Sequence, residues 1–160
     1  MRILAITAAV ILVLDQVLKL VVVQIVDLAN RGEIDVLPPY LNLRMAWNRG
    51  VNFGLLSSNA EVTRWALVFV ALIITVWVVW WVRREAMRPI ALVAAGLLVG
   101  GALGNVIDRI VYGAVADFLN MSCCGWRNPW SFNLADVAIF AGAIGLALFS
   151  GAAKTGDKTP

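Results

Sequence analysis

Four stretches of this chain, at about residues 3–26, 62–82, 89–107 and 134–150, are apolar nearly from end to end. Each approaches the roughly 20 residues a helix needs to cross bilayer hydrocarbon. In lipid every peptide group must find its partner inside its own segment, so such runs become helices. The sequence therefore predicts one integral-membrane domain over residues 1–160: an all-α membrane fold with four transmembrane helices. A charged fraction of 14% and a mean hydropathy of +0.85 agree with that class. The first run starts like a secretory leader at Arg2, yet it is long, carries Asp15 and Lys19, and has no small-x-small cleavage site.

Basic residues set the orientation. Segments 1–2, 83–88 and 151–160 hold six Arg and Lys in 18 residues, whereas segments 27–61 and 108–133 hold five in 61. That asymmetry predicts both termini in the cytoplasm, with 151–160 as a short tail. Trp77, Trp80 and Trp81 then mark the inner interface and Trp65 the outer one. The basic balance, +3 overall, is thereby explained by the membrane, and no nucleic-acid motif accompanies it.

The chain contains no histidine, which removes Ser-His and Cys-His nucleophile pairs and His-based zinc sites. Adjacent Cys123 and Cys124 cannot build an intrachain disulfide framework, since neighbouring thiols bridge only through a strained ring, and they read as incidental loop residues. Acid–base chemistry is left to carboxylates and Lys19.

Between the first two runs, LNLRMAW alternates apolar Leu41, Leu43, Met45 and Trp47 with Asn42, Arg44 and Ala46, the period-2 pattern of an amphipathic strand. It predicts a small sheet on the outer membrane surface, able to carry an extended peptide or simply to cap the helices. In the third run, Gly96, Gly100, Gly101 and Gly104 form a small-residue stripe for close helix packing.

The polar residues gather in one layer. At 1.5 Å per residue, Asp15 and Lys19 lie about 18 and 24 Å along the first span, in a core roughly 30 Å thick. The third span ends outward at Asn105, Asp108 and Arg109, and the fourth begins there at Asn133 and Asp136. Ionisable groups at such depth are functional candidates, each with a plainer alternative. Asp15 and Lys19 stand i,i+4, acid first, and can neutralise each other. Arg109 suits the negative end of a helix, with Asp108 pairing a loop cation. Asn133-x-x-Asp136 matches a capping box. Asp117, in GAVADFLN, has no such account. It is expected in a partly buried loop, and residues 117–136 are long enough to bring the two acids together. Repulsion between them would raise one pKa and let the pair share a proton, as an aspartic protease requires, with Asp136 beside a helix N-terminus as the starting base.

Five ordered motifs carry a resemblance. They are Asp15-x-x-x-Lys19, Asn48-Arg49-Gly50-Val51-Asn52-Phe53-Gly54, Gly100-Gly101-x-x-Gly104-Asn105-x-Ile107-Asp108-Arg109, Gly113-x-Val115-x-Asp117-Phe118 and Phe132-Asn133-x-Ala135-Asp136. Together they resemble the lipoprotein signal peptidases (type II signal peptidases) of bacterial inner membranes, departing from the family's usual alanine-like residue at Asn52. The resemblance implies catalytic Asp117 and Asp136, with Asp15, Lys19, Asn48, Gly50, Asn105, Asp108, Arg109 and Asn133 supporting them or the substrate. It implies a prolipoprotein carrying diacylglycerol on its lipobox cysteine, cut just before that residue near the periplasmic face. Membrane phospholipid is the other expected partner; no metal, cofactor, nucleic acid or oligomer is required. Two other classes use the same acids differently. A proton-coupled transporter or channel predicts acids spread through the membrane and repeated halves, and a noncatalytic assembly factor predicts that Asn would serve at 117 and 136.

Overall fold

The computed structural model describes residues 1–50 and 60–151. Residues 51–54 of the motif beginning at Asn48, and residues 152–160 of the expected tail, lie outside them. Helix α1 (Arg2–Lys19) continues without a break into a π-wound run, Leu20–Ile25. A short helix α2 (Leu28–Arg31) follows, then strands β1 (Glu33–Leu37) and β2 (Leu41–Asn48). Helices α3 (Ala60–Arg84) and α4 (Pro89–Tyr112), strand β3 (Val115–Met121) and helix α5 (Leu134–Phe149) complete the order.

Three helical segments are long and apolar enough to cross a membrane: Arg2–Ile25, Ala60–Arg84 and Pro89–Tyr112, of 24, 25 and 24 residues. The fourth expected span is an apolar helix of 16 residues, about 24 Å at the usual rise. Helix α4 outruns its apolar run because nothing stops it until Gly113. That residue, at φ 77, forms the left-handed cap and donates its N–H to the Arg109 carbonyl. At the other end Pro89 occupies the first turn, where its missing N–H costs nothing. At the head of α5 the anticipated capping box is present: the Asn133 side chain accepts from the Asp136 N–H, and Asp136 returns the bond to the Asn133 N–H.

The sheet is antiparallel in the order β1-β2-β3. β2 is the anticipated strand. Asp117, expected in a loop, lies instead within β3, opposite Ala46, with Val115 opposite Asn48. Every residue of β3 but Leu119 and Met121 is buried, so both faces are covered and no polar–apolar alternation exists to be read. Under the sheet, Phe118 packs with Val22 and Leu28, joined by Ile34, Leu43 and Met45. Cys123 and Cys124, read from the sequence as incidental loop residues, are bonded to each other. They sit in a turn that Cys124 and Gly125 make at positive φ, with the Cys123 and Trp126 backbones paired across it.

All three strands attach to one end of the helices, because β1 and β2 separate α1 from α3 and β3 separates α4 from α5. Helix α4 is the centre. Its glycines let two neighbours touch its backbone: a Cβ on Gly96 would meet the Leu4 carbonyl at 2.8 Å and one on Gly100 the Ala8 carbonyl at 2.6 Å, both on α1. A Cβ on Gly101 would collide with the Ala135 carbonyl of α5. A second core, including Leu4, Val78, Val82, Ala95, Leu98 and Leu146, fills the opposite end. Large apolar side chains such as Phe69, Val76, Phe140 and Leu148 face outward, where lipid, unlike water, accepts them.

Gly101→Ala should separate α4 from α5 and lower stability by about 1–3 kcal/mol. Thermal melts in detergent should place it below both the parent and Gly151→Ala, a position where a Cβ meets nothing within 4 Å.

Candidate active site

At the sheet end of α1, Lys19 is buried, with its Nζ 2.7 Å from Asp15 Oδ2 and 2.7 Å from Asp108 Oδ2. The Asp15–Lys19 pair is the one the i,i+4 spacing anticipated. Asp108, expected to pair with a loop cation, takes Lys19 instead, because the glycine stripe brings α1 flush against α4. The π winding begins directly after Lys19, and such irregularities often mark functional positions. Each carboxylate also holds a backbone N–H. Asp15 Oδ1 accepts from Ala135 at 3.0 Å, and Asp108 Oδ2 accepts from Ala116 at 3.1 Å. These are the residues immediately before Asp136 and Asp117.

The two acids that the sequence separates by a long segment thus arrive on one site. Asn133 Nδ2 donates to Asp117 Oδ1 at 2.6 Å and to Asn105 Oδ1 at 3.3 Å. Asn105 Nδ2 donates to Asp136 Oδ1 at 2.8 Å, and its own oxygen also accepts from Lys19 Nζ at 3.3 Å. Asp136 Oδ2 accepts from the Asn133 N–H at 3.2 Å. Two side-chain amides therefore link the carboxylates to each other and to the ion cluster.

Asp117 is almost wholly buried. Burial away from water, with the negative charge of Asp136 adding to it, pushes its pKa up to about 6. Hydrogen bonds from Asn48 and Asn133 and the charge of Lys19 oppose that rise. Such a carboxyl holds its proton to higher pH than a solvated one and, while protonated, can donate a hydrogen bond. Asp136 is half-buried in the first turn of α5, where it accepts from two donors, an arrangement suited to a carboxylate.

Arg109 lies in the last turn of α4, but its Nη1 donates to the Asn105 carbonyl at 3.3 Å, not to the final carbonyls. Its charge acts on Asp136, Asp117 and Asp108. Asn48 accepts from the Gly50 N–H at 3.0 Å and bonds Asp117. Gly50 itself does not meet the acids. It turns the chain at φ 104, and a Cβ there would lie 2.7 Å from Leu67 of α3. Sequence reasoning missed Gln16, whose Nε2 donates to Asp108 Oδ1 at 3.0 Å and to the Gly104 carbonyl at 3.3 Å. An amide amid Leu, Val and Ile of a span was the available signal.

Comparison with known proteins shows the family. The family model for signal peptidase (SPase) II matches residues 7–151. The chain is 44% identical over 140 residues to the lipoprotein signal peptidase of Methylobacterium sp. (strain 4-46), covering 88% of this chain and 83% of that one. It is 37% identical over 152 residues to the lipoprotein signal peptidase of Nitrobacter hamburgensis, covering 93% and 92%. A solved bacterial membrane enzyme superposes with a TM-score of 0.76 at 29% identity, over 89% of this chain and 88% of that one. With the match spanning most of its length, this chain belongs to the signal peptidase II family.

Proposed function

We propose that the chain is an aspartic endopeptidase of the bacterial inner membrane, with Asp117 and Asp136 as its catalytic pair. Its substrate is a prolipoprotein already carrying diacylglycerol, cut just before the lipidated cysteine. The observation that carries this reading is the junction of the two carboxylates through Asn133 and Asn105, with the Asp117 carboxyl raised to about 6 by burial and by its partner's charge. Relatives named as lipoprotein signal peptidases support the substrate class.

The chemistry follows from the difference between the two acids. Ionised Asp136 takes a proton from a water molecule as its oxygen attacks the scissile carbonyl carbon. Protonated Asp117 meanwhile donates to the carbonyl oxygen, giving a tetrahedral diol. As the diol collapses, ionised Asp117 takes back a proton from one hydroxyl while the proton gained by Asp136 passes to the leaving nitrogen; the carbon–nitrogen bond breaks and the pair again holds one proton.

Four spans with both termini in the cytoplasm suit this reading. Arg83 and Arg84 end α3 at the extremity remote from the sheet, and the acids sit at the sheet extremity. Acyl chains on a substrate cysteine lie in the outer leaflet, so the bond before it comes to that layer. A proton-relay transporter expects acids distributed through the membrane thickness, whereas here Asp15, Asp108, Asp117 and Asp136 adjoin one another through shared hydrogen bonds.

Either Asp117→Asn or Asp136→Asn should lower cleavage of a purified lipidated precursor by about 10²–10⁴-fold while the melting temperature stays near that of the parent. Full activity in either variant rules out the pair mechanism. Because Asp117 loses its proton as pH rises through about 6, kcat/KM should decline tenfold per pH unit above that region; a profile flat from acid to alkaline pH contradicts the assignment. Lys19→Met leaves Asp15 and Asp108 facing each other without a cation and should cost about 3–5 kcal/mol, measured as a fall in melting temperature with loss of turnover.

A further inference from the structure

Where β2 ends, the chain lies beside the first turns of α3 and the end of α4. Two adjoining hollows there, of about 200 and 260 Å³, share Arg49 and Tyr112 as walls; Arg64 and Glu61 line the first and Trp47 the second. Arg49 is exposed and forms no ion pair among the described residues. Arg64 donates from Nη2 to the Ile110 carbonyl at 3.0 Å, so it covers the negative end of α4. Its Nε is buried with no partner. Among the described residues the one acid in the walls, Glu61, stands 3.7 Å from Arg64, its side chain 68% exposed, and also accepts from the Trp65 indole at 3.3 Å. Two guanidinium groups against one loosely held carboxylate leave the depression positive.

Its surroundings name the anion. Trp47 and Tyr112 pack at 5.5 Å, and the Arg64 guanidinium lies 5.0 Å from the Trp65 ring centre. All three aromatic side chains are exposed; Trp65 and Tyr112 lie near the ends of two helices long enough to span a membrane, and Trp47 reaches Tyr112 from the end of β2. Exposed Trp and Tyr at span ends belong to the headgroup layer. The charged group most abundant there is phosphate, which guanidinium recognises through paired N–H donors.

We propose that Arg49 and Arg64, beside Tyr112, hold the phosphate of one phospholipid headgroup at the rim of the active site. The site adjoins the acid pair through consecutive residues, since Asn48 bonds Asp117 and Arg49 follows it. A lipid seated there borders the place where a lipidated substrate would lie, and its occupancy does not require catalysis.

The purified full-length chain, reconstituted in nanodiscs of phosphatidylcholine and phosphatidylglycerol and then released into detergent, is examined by native mass spectrometry. The parent should retain one phospholipid, and Arg49→Gln/Arg64→Gln should hold it roughly tenfold less per arginine removed. Diacylglycerol, which lacks the phosphate, should not be retained, and excess inorganic phosphate should not displace the lipid, because it brings no acyl chains. Added phosphatidylglycerol should raise the melting temperature of the parent but not of the double variant. If the double variant fails to fold, Arg49→Gln alone, at an exposed position, carries the test. Equal phospholipid retention by parent and variant, or retention of diacylglycerol as well as phosphatidylglycerol, overturns the proposal. So does a variant that keeps its lipid but loses only precursors with an acidic residue after the cut, which would make the hollow a peptide subsite. Lipid retention is counted without turnover, so its failure is distinct from failure of the peptidase reading.

Discussion

The structure depends on one positive charge sealed away from water. Lys19 sits between Asp15 and Asp108, its Nζ 2.7 Å from each, with all three side chains buried; removing the cation would leave two carboxylates there without it. The cluster still has one more negative charge than positive. The excess is met by hydrogen bonds from the Ala116 and Ala135 N–H groups and the Gln16 amide. Those bonds give the cluster a second consequence beyond joining α1 to α4. Each acid of the triad grips the backbone just before one acid of the site, so the position of Lys19 sets where Asp117 and Asp136 stand relative to each other. The symmetry is chemical, not sequential: one grip is on a strand, the other on the first turn of a helix.

Helix α4 makes that arrangement possible through two rows of residues spaced by four. Gly96, Gly100 and Gly104 successively meet Leu4, Ala8 and Asp15, and the next member, Asp108, meets Lys19. The row that lets α1 approach is the row that delivers the carboxylate. Gly101 lies against Ala135, and Asn105, four residues on, donates to Asp136. Helix α5 thus reaches contact distance at the level where the amide can bridge the acids. Larger side chains in either row would hold the partner helix away and leave Asp108 or Asn105 short of its target.

What the sequence made legible follows from how far each signal reaches. The apolar runs, the Asn133-x-x-Asp136 box and the Asp15–Lys19 spacing are local, and each appears as a local feature of the fold. β2 announced itself because one of its faces is apolar and the other polar. β3 does not, because burial on both sides erases alternation, and its residues then look like a partly buried loop around Asp117. The destination of Asp108 was also hidden. Its partner lies on a helix that precedes it by most of the chain, and only the glycine contacts determine which side chain it meets. Gln16 is inconspicuous because an uncharged amide next to Asp15 looks like a lesser polar residue, although its three acceptors lie on both helices.

Two acids of one kind can take opposite roles only if their surroundings differ. Asp117 lies on a strand covered on both faces, with Ala46 opposite it and almost no exposure, so its charge is costly and its proton is retained well above the usual carboxylate range. Asp136 stands half-buried at the head of α5, tied to the capping residue and to Asn105. Moving the pair deeper along the helices would starve a hydrolysis of water, and moving it into the open sheet would remove the desolvation that separates the two acids. The junction between strand and helix end, where β3 meets the start of α5, supplies both conditions at once. Under the proposed mechanism, that is the physical reason this chain keeps acids at the rim of its helices instead of their middle.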